Sequence, residues 1–221
     1  IEVKMNPALI ELIILAGIAV FLFLRLRSVL GTREGFEKPR MQQKNDAPKR
    51  DFKVIDGGED KDITDNVEKN SKSAKALKII KEKDETFTVN EFLSGARSAY
   101  EWILMSFEKN EIDDIRELLS EEVAEAFDSV VEQRISRGLT IEAEFIGVRE
   151  MKLVDASYNS KTNTAEIAVS FIGEMTSVVK NSSGEIVEGD SKQIKRQKDT
   201  WTFSKDIQSS DPNWLLVATG E

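Results

Sequence analysis

The chain contains no cysteine and no histidine. Without cysteine there is no disulfide and no thiolate, so the folded part needs no oxidising compartment. Without histidine it lacks the commonest metal ligand and the one side chain that ordinarily titrates near neutrality. Ser-His-Asp and Cys-His nucleophile systems are therefore excluded within this chain. Ordinary zinc sites go with them, because carboxylates alone suit harder ions. No cofactor and no metal are expected. An excess of positive charge is missing too. The 31 Lys and Arg stand against 40 Asp and Glu, a net charge of −9, which argues against nucleic acid as a partner.

What charge there is lies unevenly. Residues 1–50 carry 9 basic and 5 acidic side chains, whereas the remainder carries 22 and 35. A basic front end suits an anionic lipid surface. From Leu12 to Leu24 the sequence LIILAGIAVFLFL has no charged or strongly polar side chain. As a helix this run covers only about 20 Å, short of a hydrocarbon core of about 30 Å. Ala8–Ile10 before it and Leu26, Val29 and Leu30 after it close the gap, while Arg25 and Arg27 can snorkel toward headgroups.

The reading is a single membrane-spanning helix within residues 1–30. Leu12, Ile13, Ile14, Leu15, Phe21, Leu22, Phe23 and Leu24 face hydrocarbon, and Arg25, Arg27 and Arg33 contact anionic lipid. Basic residues crowd the segment after the helix, so the positive-inside bias puts the N-terminus outside and the body in the cytoplasm. A cleaved signal peptide would want a basic leading region and an A-x-A site, and neither is present. A helix lying in the membrane plane would want one polar face, whereas residues 12–24 are apolar all round. Met5 is a candidate natural start.

Residues 31–84 read as a charged flexible linker. Phe36 and Phe52 are its only aromatics, and KVIDGGEDKDITDNVEKNSKSAK is too polar to offset the entropy of ordering. DGGEDKD at 56–62 lacks the alternating oxygen ligands and terminal glutamate of a calcium loop. ALKII at 76–80 is read as a short helix fraying into that linker.

A domain is expected over residues 85–221. Thr88 with Glu91 forms a capping box, and Phe87 can staple onto Phe92. Phe92, Leu93, Ala96, Ala99, Tyr100, Ile103, Leu104 and Phe107 then share one broad helical face. EIDDIRELL (111–119) predicts a second, short helix. Ser120 caps a third, with Val123, Phe127, Val130, Val131 and Ile135 inward and Gly138 ending it. Beyond Gly138 the period changes to two, and the apolar phase slips near Gly147, as at a bulge. Further strands carry Ile167, Val169 and Phe171, then Trp201 and Phe203, then NWLLVAT at 213–219; NSSGE (181–185) is a hairpin turn. Helices followed by antiparallel strands predict an α+β fold with a strongly bent sheet.

Four stretches carry a resemblance: IELIILAGIAVFLFLRLRSVLGTREGFEKP (10–39), WILMSFEKNEIDDIRELLSEEVAEAF (102–127), RGLTIEAEFIGV (137–148) and DTWTFSKDIQSSDPNWLLVATG (199–220). Together they resemble the alphaproteobacterial TimA family, bacterial relatives of the mitochondrial import-motor adaptor Tim44. The resemblance implies a membrane-tethered domain with a cone-like shape, related to nuclear-transport-factor-two and cystatin-like folds. It further implies a non-enzymatic adaptor or scaffold with a protein partner, a chaperone or translocase being the class suggested. The mitochondrial relative recruits its heat-shock chaperone through a longer N-terminal region, of which residues 31–84 show no counterpart.

Candidate sites are few. Trp102, Phe127, Phe145, Phe171, Trp201 and Trp214 are expected either as core or as the lining of an apolar pocket for lipid or a small molecule. Asp113 and Asp114 point to different faces of a helix and read as solvated. Lys192, Lys195, Arg196 and Lys198 form a basic cluster on a strand, suited to an anionic partner or to guarding a sheet edge. An enzyme of the ketosteroid-isomerase type would need a buried carboxylate facing an apolar pocket. Glu142, Glu144 and Glu166 fall on polar strand faces, and no such Asp is evident.

Overall fold

In the computed structural model, residues 60–220 are described. The expected spanning helix, with its lipid-contacting arginines, and the first part of the expected linker lie outside the described residues. Among the described residues no helix is long and apolar enough to cross a membrane.

The elements are α1 (Lys61–Thr64), α2 (Lys72–Lys83), α3 (Val89–Lys109), a 3-10 helix (Ile112–Leu118) and α4 (Glu121–Ser136). Then come β1 (Thr140–Asn159), β2 (Thr164–Lys180), β3 (Ile186–Asp206) and β4 (Leu215–Gly220). The strands form one antiparallel meander in the order β1-β2-β3-β4. The helices come first and the sheet second, as the change of period predicts.

Local chemistry explains most boundaries. Ser120 Oγ accepts the Val123 N–H at 3.4 Å to cap α4, and Asn110 ends α3 in the left-handed conformation (φ 63°). At the β2–β3 turn the Asn181 side chain accepts the N–H groups of Ser183 and Glu185. The register between β1 and β2 shifts three times, between Phe145 and Gly147, Val148 and Glu150, and Leu153 and Asp155. Each irregularity sharpens local twist, which is how one long strand curls around helices.

The buried side of β2 is Ala165, Ile167, Val169 and Phe171, all fully buried. Against the sheet pack Tyr100 and Ile103 of α3 and Leu77 and Ile80 of α2. This corrects the expected linker. Residues 60–84 are not a solvated tether: α2 contributes two fully buried side chains, Leu77 and Ile80, and α1 contributes Ile63. Low average hydropathy conceals three apolar residues that join one core, Leu77 and Ile80 on the helix that packs on β1 and Ile63 on the short helix that meets α2 and α3, and their burial repays the ordering entropy.

Helix α4 is less submerged than its pattern predicts. Val123, Ala124 and Val131 are buried, but Val130 and Ile135 are exposed. Its polar anchor to α3 is Arg134. That guanidinium donates to the Phe107 carbonyl at 2.9 Å and lies 4.2 Å from the Phe107 ring centroid. It also pairs with Glu108 at 3.8 Å. Burial pushes the Glu108 carboxyl above its ordinary range, while Arg134 pulls the other way.

Candidate functional site

The site begins at the first turn of α3. Thr88 caps it, accepting the Glu91 N–H at 3.1 Å while donating its hydroxyl to Glu91 Oε2 at 3.0 Å. A second cap arrives from α1. Asp62 Oδ2 accepts the Val89 N–H at 2.8 Å, and Oδ1 accepts the Asn90 N–H at 3.0 Å. An anion placed on free helical N–H groups also meets the positive end of the helix dipole. Lys81 of α2 donates to Asp62 at 3.0 Å and pairs with Asp60 at 2.7 Å. Burial alone would raise the Asp62 pKa. The N–H groups of Val89 and Asn90 and the Lys81 ammonium outweigh it and hold the carboxyl below its ordinary range. The two aspartates raise Lys81 correspondingly, against a burial that would lower it.

Beside that turn the aromatic rings part to form an open groove of about 350 Å³. Its walls are a run of touching rings. Phe87 and Phe92 lie 6.2 Å apart by centroid, Trp214 lies 4.8 Å from Phe92 and 5.8 Å from Phe87, and Phe203 is 6.0 Å from Phe92. The α3 side of the groove is lined by Gly95, Ala96 and Ala99. A Cβ built on Gly95 would meet nothing within 4 Å. Internal packing therefore does not require glycine there, although it costs about 1 kcal/mol in a helix interior. At the rim Asp84 pairs with Lys205 at 3.7 Å. The Thr86 hydroxyl, helped by the Thr86 N–H and Lys205, outweighs burial and holds Asp84 below its ordinary range. The charged side chains that line the groove are Asp84, Glu91 and Lys205, and the helical stretch 84–136 as a whole holds 14 acidic and 4 basic side chains, against 12 and 10 over residues 137–220.

Farther along α3 a polar pair is enclosed. The Tyr100 hydroxyl donates to Asp199 Oδ2 at 2.6 Å, and Gln197 donates to Oδ1 at 3.0 Å. The Tyr100 ring stacks on Phe171 at 4.4 Å and touches Trp201 at 4.7 Å. Burial first, and the Asp199 carboxylate second, push the phenol far above its ordinary range. Opposite the hydroxyl stands Gly173, whose added Cβ would come within 2.7 Å of it; any side chain there displaces the tyrosine. Asp199 is not among the residues that line the groove, and its carboxylate accepts from Tyr100 and Gln197.

The six candidate pocket aromatics do not converge. Phe171 and Trp201 are buried around Tyr100, with Phe145 half-buried 6.1 Å away. Phe127 packs on Phe107 at 4.5 Å. Trp102 is 53% exposed, and Trp214 alone of the six lines the groove. Phe87 and Phe92 meet as the staple geometry predicts, yet they also form a wall, a second role the sequence does not separate from the first. Asp199 is not among the residues that the sequence singles out. Its parity with Trp201 and Phe203 on one strand face was the available signal. Arg196 of the basic cluster donates to Glu174 at 2.9 Å. Asp113 is fully solvated and pairs only loosely with Arg116. Among the described residues no cluster of carboxylates could hold a metal ion.

The family described as "Tim44-like domain" matches residues 73–221. None of the curated proteins compared matches the chain. Among solved structures, the intermembrane space region of the chloroplast protein ARC6 is similar at 8% identity and a TM-score of 0.39, covering 58% of this chain and 94% of that one. A likeness of that size carries no argument.

Proposed function

Because the chain belongs to the Tim44-like domain family, we propose that it is a non-enzymatic adaptor held at a membrane, which engages protein partners through its C-terminal domain. The observation that carries this reading is the aromatic groove along α3. It is open and walled by touching rings, and it has a glycine and two alanines where a partner's side chains could approach closely. Aromatic walls beside a smooth helical face suit apolar anchors. The acidic surround selects a partner whose groove-binding segment is basic as well as apolar.

Within the family the anchor-like residues 10–39 favour the TimA group of the bacterial inner membrane. The spanning helix within residues 1–30 would hold the domain on the cytoplasmic side, and Arg25, Arg27 and Arg33 would meet anionic lipid. Protein translocation or membrane-protein assembly is the setting this proposal points to, with a chaperone or translocase component as the partner class. A second reading is supported by the groove's size. About 350 Å³ is within the range of small-molecule sites, so a lipid tail or an apolar metabolite is the alternative occupant.

A photo-reactive residue at Ala99 tests both in native membranes. The adaptor reading expects one reproducible protein crosslink that a probe at Lys152 does not give. Recovery of lipid or metabolite alone would favour the alternative. The anchor expects retention of the chain after alkaline carbonate extraction, and release into the supernatant would sink it.

A further inference from the structure

Trp102 is 53% exposed, whereas Trp201 and Trp214 are packed among other rings. Its place on α3 is not arbitrary. At about 100° per residue, Glu91, Gly95 and Trp102 fall within about 40° of one another around the helix, with Ala99 beside them. Glu91, Gly95 and Trp102 are exposed and Ala99 is half-buried. Trp102 therefore prolongs the groove as a strip along α3, about 10 Å beyond Gly95. The backbone beside the groove is already satisfied. The Thr86 N–H donates to Asp84 Oδ1 at 3.0 Å, the Phe87 N–H to the Asp84 carbonyl at 3.1 Å, and the Asn213 N–H to Asp211 Oδ1 at 2.9 Å. Pro212 has no N–H to offer. Phe203 and Lys205 are paired within the sheet, and Gly95, Ala96 and Ala99 lie inside α3. An extended peptide laid there would leave its own N–H and C=O groups without partners against apolar walls. A helix satisfies them internally.

Resting on the adaptor reading of the groove, we infer that its occupant is an amphipathic helix of another protein. That helix lies along α3 from the Phe92–Trp214 wall to Trp102 and sets a basic side chain against Glu91. The small residues Gly95 and Ala99 let a ridge of side chains seat closely, and Trp102 supplies a second aromatic anchor. Charge adds the choice of partner. Asp84 is already paired with Lys205. The Glu91 carboxylate lines the groove and accepts from the Thr88 hydroxyl, but it stands in no ion pair within 4.0 Å among the described residues. A cation on the incoming helix meets it, whereas an anionic headgroup there would be repelled.

The test places a diazirine side chain at Ser94 or at Glu101 of the full chain in native membranes. Both positions are exposed, flank the strip and stand seven residues apart. Both should capture the same protein, and the captured residues, mapped by mass spectrometry, should lie about seven apart. Two helices packed at about 20° advance together at about 1.5 Å per residue. An extended occupant advances about 3.3 Å per residue, so captured residues about three apart would overturn the helix and leave the adaptor reading standing. Lipid or metabolite alone at both positions would overturn the two together. Trp102→Ala should lower capture from position 101 about tenfold. Undiminished capture would end the strip short of Trp102 and overturn the proposal. Glu91→Gln keeps the capping box and should lower capture about fivefold while removing its sensitivity to salt. An unchanged yield and salt response would refute the basic contact.

Discussion

The two halves of β3 belong to one strand and live in different environments. From Ile186 to Lys198 every residue is exposed, including Ile186, Val187 and Ile194. From Asp199 onward alternate residues vanish into the core: Asp199, Trp201 and Phe203 are each under 9% exposed. Propensity does not divide them, since β-branched residues occur in both. The division is set by neighbours. Beyond Asp199 the strand has β4 on its outer side and the α3 aromatics beneath, whereas before it neither is present. Strand burial is thus a property of what lies across the sheet, not of the segment itself. The join is marked by the Tyr100–Asp199 hydrogen bond.

That contrast can be broken most severely at its buried side. Trp201→Ala should lower unfolding stability by about 3–5 kcal/mol in a denaturant titration, the cost of removing a core aromatic. Ile194→Ser, on the exposed half, should change it by less than about 0.5 kcal/mol; comparable losses would mean the arm is packed after all. At the join, Tyr100→Phe takes one donor from an enclosed carboxylate and should cost about 1–3 kcal/mol. A double-mutant cycle with Asp199→Asn should show strong coupling between the two, and additive losses would remove the pair's role as the latch between halves.

The groove end has a pH signature of its own. Asp62 and Asp84 have folded pKa values below the ordinary range. Their contribution is present above the unfolded carboxylate value of about 3.9 and disappears as pH falls through the lower folded values. Asp62→Asn should therefore cost about 1 kcal/mol at neutral pH and flatten the acid limb of stability. An acid limb unchanged by this substitution would show that the trans-cap contributes nothing. The smallest effect has the opposite sign. Gly95→Ala should stabilise α3 by about 0.5–1 kcal/mol, since its Cβ meets open space, while weakening any crosslink formed from the groove. A gain in stability with undiminished crosslinking would separate Gly95 from the site.

How much of this was legible follows the range of the physics. The Thr88 cap, the short helix at 112–118, the Ser120 cap, the irregularity near Gly147 and the turn at Asn181 depend on residues a few places apart, and the structure has each of them. What failed was long-range. Residues 60–84, the described part of the stretch 31–84, read as tether because Ile63, Leu77 and Ile80 are sparse among charges, and only the surroundings they meet make them core. Val130 and Ile135 keep the helical period of α4 but find no covering surface among the described residues. The groove was equally hidden. Its walls come from positions 87, 92, 203 and 214, and no local spacing predicts that Trp214 meets Phe92 while Trp102 meets solvent.

The Asp62 carboxylate has a mechanical side. It joins α1 to the first turn of α3 through two backbone hydrogen bonds and to α2 through Lys81. Tension on the polypeptide entering at Asp60 would accordingly load these polar links together with the buried Ile63 beside them. The helix that walls the groove is thus tied by its first turn to the point where the described chain begins.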